Sequence, residues 1–138
     1  MKIYVAARLH DKEKVLDLHA KLRELGHEIS HDWTTHKNIK PYQANLKLAN
    51  DYAAVDMQGV KAADIFVLLT NSEIGAGSAG ELGAAIALNL IMGKPKIFVI
   101  GEHLANNLFY YHPIVTRLNY LAELLELLAE EDNSLKVM

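Results

Sequence analysis

The chain contains no cysteine, which removes a disulfide framework, a thiolate metal site and a thiol nucleophile, and suits a reducing compartment. It also lacks an excess of positive charge: 14 Lys plus Arg stand against 17 Asp plus Glu, a net charge of −3, with the lysines dispersed. Such a surface has no basic face to hold a phosphate backbone, so a nucleic-acid polymer is not the expected partner. Long apolar runs are missing as well. The longest, Leu82 to Met92, is interrupted by Asn89 and reaches about half the roughly 20 residues of a bilayer span. The apolar stretch in MKIYVAARLH meets Arg8 too early for the core of a signal peptide and reads as a first strand. There is no internal repeat, low-complexity tract or linker, and 138 residues at 51% hydrophobic content suit a single core. What remains is the expectation of a cytoplasmic, one-domain protein that works on small molecules, away from membranes.

The patterning then supplies the elements. Lys2 to Ala7 is β-rich, and Asp11 to Leu25 carries Val15, Leu18, Leu22 and Leu25 at helical spacing before Gly26. His27 to Trp33 suits a second strand, Thr34 to Pro41 a polar loop, and Tyr42 to Ala62 a helix. Asp64 to Thr70 (DIFVLLT) is a continuous apolar run, as in a strand buried on both faces of a parallel sheet. Asn71 to Gly80 reads as a glycine-rich loop, Glu81 to Met92 as a helix stopped by Gly93-Lys-Pro, and Lys96 to Ile100 as another buried strand. Ile114 to Leu118 is a weaker strand, Leu121 to about Glu130 a helix, and residues 132–138 a tail expected to fray. The βα alternation predicts an α/β fold over residues 1–131: a doubly wound, five-stranded parallel sheet of flavodoxin-like (Rossmann-like) order 2-1-3-4-5. In such a sheet ligands bind at the carboxyl ends of the strands, where the loops after strands 1 and 3 diverge.

Gly75-Ala-Gly77-Ser-Ala-Gly80 satisfies G-x-G-x-x-G, with Glu102 downstream at a distance suited to a ribose hydroxyl. This supports a nucleotide- or dinucleotide-binding module without chemistry. Against it, about five residues separate the end of the strand from the first glycine, where the fingerprint glycine normally follows directly. The same segment holds Ser78-Ala-Gly-Glu81, which fits a capping box. It fits equally a carboxylate in a helix's first turn, kept ionised by the helix dipole and flanked by glycines that leave room for a substrate. Asp56 falls inside the apolar stripe Ala49, Tyr52, Ala53, Val60 of the preceding helix. There it must find donors or become neutral, and a neutral Asp is a usable general acid; a slight rotation of the helix would instead bring it to water.

Taken together, Tyr4 in KIYVAAR, Asp56 eight residues before Asp64-Ile-Phe-Val-Leu-Leu, Gly77-Ser-Ala-Gly-Glu81-Leu-Gly and Gly93-Lys-Pro make the chain resemble the nucleoside 2-deoxyribosyltransferases, including the related 2'-deoxynucleoside 5'-monophosphate N-glycosidases. The resemblance runs from about residue 2 to His112-Pro113. It implies that Glu81 is a nucleophile attacking the anomeric carbon, that Asp56 handles the leaving base, and that Tyr4 sits beside the nucleophile. It further implies a nucleoside or nucleotide substrate, no cofactor, and a homodimer or higher homo-oligomer in which a neighbouring subunit helps close the site. The nucleotide hydrolases carry a serine and an arginine two residues apart after the first strand; Arg8 and His10 stand there in this chain. A guanidinium at Arg8 still suits a 5'-phosphate, with Ser72 adding a hydroxyl. Ala6, Gly75, Gly77 and Ser78 complete the expected substrate contacts from the two loops.

Trp33, the sole tryptophan, is placed either to stack on a base or to pack in the core, and Asp32 either to hydrogen-bond the base or to be solvated. No metal is expected: on the predicted second strand His27 and His31 would be about 13 Å apart, too far to share an ion.

Overall fold

The computed structural model describes the backbone of residues 1–137 and the side chains of residues 1–133. Five parallel strands form one sheet in the order β2-β1-β3-β4-β5, as the sequence pattern predicts. They are β1 (Lys2–Ala6), β2 (Glu28–Ile29), β3 (Ile65–Leu69), β4 (Lys96–Ile100) and β5 (Val115–Leu118). The helices are α1 (Lys12–Glu24), α2 (Leu46–Ala62), α3 (Ala76–Met92) and α4 (Leu121–Val137). All five residues of β3 are buried, which is why its sequence shows no polar alternation.

Two apolar layers flank the sheet. Ile3, Val5, Val67 and Phe98 pack with Val15, Leu18 and Leu22 of α1 and with Leu124 and Leu128 of α4. Tyr4, Ala6, Phe66 and Leu68 pack with Val60 of α2 and with Leu82, Ala85 and Ile86 of α3. Period-two alternation along β1 therefore sends Tyr4 toward α2 and α3 while its neighbours face α1 and α4.

Several boundaries differ from the sequence expectation, each for a local reason. β2 is only Glu28–Ile29, because Ser30 Oγ donates to the Gly59 carbonyl and Asp32 caps a 3-10 turn at Trp33–Thr35 that draws the chain off the sheet edge. α2 begins at Leu46, after a separate 3-10 turn at Tyr42–Ala44 and a non-helical Asn45. α3 begins at Ala76, well before the expected Glu81, so half of the presumed glycine loop is helix. α4 continues past Glu130 to Val137, so the backbone of the segment expected to fray is helical as far as it is described, and Met138 lies outside the described residues.

Candidate active site

α2 and α3 each offer one carboxylate to the side of the sheet on which Tyr4 lies. On α3, Ser78, Leu82 and Ala85 are buried, and Glu81 falls within that stripe at i, i+3, i+4, i+7 spacing. On α2, Ala49, Tyr52, Asp56 and Gly59 turn toward the protein while Ala53 is exposed, so Asp56 lies on the inward face. Tyr4 is fully buried, stacks on Phe66 of the adjacent strand with ring centroids 5.9 Å apart, and donates its hydroxyl hydrogen to the Glu81 carboxylate. Burial foremost, then the charge of Glu81, holds the phenol far above its ordinary range, so Tyr4 is a permanent donor.

Glu81 is pushed up to about 7, mainly because its carboxyl is withdrawn from water; the Tyr4 hydrogen bond opposes this and the charge of Asp56 adds to it. Two sequence expectations are corrected here. Ser78 and Glu81 do not form a capping box, since Gly75 is the N-cap and no side chain caps the helix. Nor does the helix dipole keep Glu81 ionised: with the helix starting at Ala76, Glu81 lies beyond the first turn, and burial outweighs the dipole.

Asp56 is raised by burial, an effect partly offset by His36 and His31. Its Oδ1 lies 3.2 Å from His31 Nε2 and 3.7 Å from His36 Nε2, and those two nitrogens are 3.2 Å apart. Sequence reasoning missed this pair. It placed His31 on a strand beside His27, but the chain has left β2 by Ile29, and His27 instead meets the N-terminal ammonium. His36 is held by a face-to-face stack on Tyr52, centroids 3.9 Å apart, one turn before Asp56 on the same face of α2. The i, i+4 pair Tyr52–Asp56 was the available signal.

The other expected residues divide into two groups. Arg8 is exposed in the turn after β1, Gly75 and Gly77 are exposed at the start of α3 with open space where a side chain would be, and Ser78 is buried in its first turn. Ala6 is buried at the end of β1. The remaining residues are engaged structurally. Ser72 Oγ donates to Asp11 at 2.7 Å, Asp32 accepts from the Thr34 amide at 2.9 Å, and Trp33 Nε1 donates to the Val5 carbonyl at 2.7 Å while packing against both core layers. For Trp33 this favours the packing alternative, and for Asp32 a turn-capping role.

The dinucleotide alternative loses its geometry. Gly77 and Gly80 lie inside α3, and Gly75, Gly77 and Gly80 are absent from the positive-φ glycines, Gly26, Gly93 and Gly101. No glycine turn approaches a pyrophosphate from the end of β3. A cavity of about 530 Å³ runs along a neighbouring face of α3, between Leu82, Gly83, Ile86 and the Leu108–Phe109 turn; Glu81 is not one of its walls.

Fold and side chains define a doubly wound parallel α/β protein with a hydrogen-bonded phenol–carboxylate pair and a second carboxylate near it. No family model and no curated protein sequence matches the chain. Among solved structures, the fold is similar to that of the Clostridium botulinum CMP N-glycosidase BcmB, with a TM-score of 0.59 and 20% identity over 94% of this chain and 99% of that one. No helix among the described residues is long and apolar enough to cross a membrane.

Proposed function

We propose that this protein cleaves the N-glycosidic bond of a nucleoside or its 5'-monophosphate, with residues 1–131 acting as a deoxyribosyltransferase-like domain. The observation that carries the reading is the Tyr4–Glu81 hydrogen bond with the Asp56 carboxylate close enough to raise Glu81. The fold it shares with a CMP N-glycosidase supports it.

In the proposed reaction, ionised Glu81 attacks C1' through an oxocarbenium-like transition state and forms a glycosyl ester, and Asp56 in its acid form gives its proton to the departing base. Tyr4 fixes the carboxylate through one oxygen and leaves the other to attack. Water then resolves the ester to free sugar, or a second base accepts the sugar in a transfer; either acceptor gives a proton back to Asp56 and Glu81 leaves as the free carboxylate. A 5'-phosphate would find Arg8 in the turn after β1 and the amides opening α3, whose N-terminus has no side-chain cap. These two segments are neighbours because β1 and β3 are hydrogen-bonded to each other. The cavity beside α3, rather than at Glu81, accords with a site closed by a second copy of the chain.

The test is incubation with a panel of deoxynucleosides, ribonucleosides and their 5'-monophosphates, with and without a second free base, followed by chromatography of the released bases. Release or exchange of base, abolished in Glu81→Ala with the circular dichroism unchanged, is the expected result. Tight nucleotide binding without cleavage of any panel member would return the chain to the binding-module class.

A further inference from the structure

The proposed reaction takes a proton from Asp56 and says nothing of why two imidazoles converge on its Oδ1. The three atoms come from separate parts of the fold: His31 from the segment leaving β2, His36 from beyond the following 3-10 turn, and Asp56 from the inward face of α2. Their separations are 3.2, 3.2 and 3.7 Å. An ion held tetrahedrally at zinc's usual ligand distances of about 2.0–2.2 Å sets its ligands about 3.2–3.6 Å apart, so shifts of a few tenths of an ångström would bring all three into one coordination sphere.

Two features argue that hydrogen bonding within the cluster does not account for the arrangement. Asp56 Oδ1 is buried and makes no well-aligned hydrogen bond, even though His31 Nε2 is only 3.2 Å away. Two imidazole nitrogens also face each other at 3.2 Å, so one proton at most lies between them. A cation satisfies all three lone-pair donors at once. The side chains are themselves preset. His36 is stacked on Tyr52, whose hydroxyl is in turn held by the Lys37 amide at 3.2 Å. His31 is packed so closely over Gly59 that a Cβ there would come within 2.6 Å of its own.

From this geometry we infer that His31, His36 and Asp56 form a binding site for a divalent cation of the zinc class. Two imidazoles with one carboxylate are a borderline donor set, suited to Zn²⁺ or Co²⁺ rather than to Mg²⁺ or Ca²⁺, which take oxygen. The side chains are 20%, 19% and 27% exposed, so solvent reaches the cluster and a water can complete the coordination, as at open three-ligand sites. The site stands on these three residues whether or not the chain cleaves a glycosidic bond. If it does, the ion and the catalytic proton exclude each other on Asp56, because a ligating carboxylate has no proton to give.

The test uses the full chain, dialysed against chelator and titrated with Zn²⁺ and separately with Co²⁺. One ion per chain is expected, with visible Co²⁺ absorption of the intensity given by four- or five-coordinate sites and a melting temperature that rises with Zn²⁺ and falls back on adding chelator. His36→Ala and Asp56→Asn should each weaken binding by at least about tenfold, the scale on which even supporting partners act, whereas His103→Ala should leave it unchanged. Should His31→Ala fail to fold, His36→Ala carries the comparison, because His36 lies in a loop outside both core layers. Absence of saturable one-to-one binding at micromolar metal overturns the inference. Equal binding by the wild type, His36→Ala and Asp56→Asn does so as well.

Discussion

At the scale of single residues, the decisive quantity is the free energy stored by keeping Glu81 out of water. A carboxyl at about 7 in the folded chain, against 4.5 when unfolded, binds its proton more tightly folded than unfolded. Between those two values the unfolded state releases the proton first, so Glu81 makes the fold progressively less stable as pH rises from about 4.5 to about 7, and the penalty is constant above that. Its size is on the order of 3 kcal/mol. Glu81→Gln removes the ionisation and should therefore unfold at higher urea than the wild type at pH 8, with the difference shrinking toward zero at pH 4. The same substitution should abolish base release. A variant destabilised equally at both pH values would mean that the carboxylate is not being held against its preference. Tyr4→Phe makes the complementary prediction: the Tyr4 hydrogen bond pulls Glu81 downward, so its loss should move the rising limb of the pH–rate profile above about 7 and slow the reaction at neutral pH. An unmoved limb would mean that the profile reports another group.

At the scale of elements, the site depends on how closely α2 approaches β1 and the segment beyond β2. Gly59 sits at that crossing. A Cβ there would lie 2.6 Å from His31 Cβ and 3.0 Å from the Tyr4 ring, and neither neighbour is the free end of a flexible chain. Gly59→Ala should therefore cost about 1–3 kcal/mol in urea unfolding, the usual range for overpacking, and should lower base release by displacing Tyr4. Gly77→Ala, where the corresponding space is open, should leave stability within about 0.5 kcal/mol. The same crossing explains what could be read in advance. β3 and β4 were legible because Ile65–Leu69 and the stretch after Lys96 are uninterrupted apolar runs, and the inward position of Asp56 was legible because helical periodicity is local. The start of α3 was not: Gly75 to Gly80 has the composition of a loop, and Ala76 to Gly80 becomes helical because Ser78 and Leu82 are buried against the sheet, a tertiary effect that overrides propensity. His31 and His36 were hidden for a different reason. They meet only because β2 ends after Ile29 and the chain doubles back through a 3-10 turn, and neither event has a periodicity to betray it.

At the scale of the whole molecule, exposed apolar side chains gather along α3 and the turn facing it. Leu90, Ile91, Leu108 and Phe109 are 65%, 80%, 78% and 57% exposed, and Leu90, Leu108 and Phe109 border the cavity along α3. Each such side chain covered contributes about 1.5–3 kcal/mol, so a shared face of this kind would hold two chains together at modest concentration. The occupant consistent with the proposed function is a second copy, because an isologous contact meets the same strip on its partner and buries both at once. Sedimentation velocity should then find the wild type as a dimer or larger assembly. Leu108→Glu combined with Phe109→Glu should give a monomer of unchanged circular dichroism, because both residues are exposed in the single chain and neither belongs to the core layers. Base release should fall in that monomer in step with the loss of assembly, and should recover at protein concentrations that restore it. A wild type that sediments as a monomer throughout, or a monomeric variant with undiminished base release, would mean that one chain closes its own site and that the strip serves another purpose.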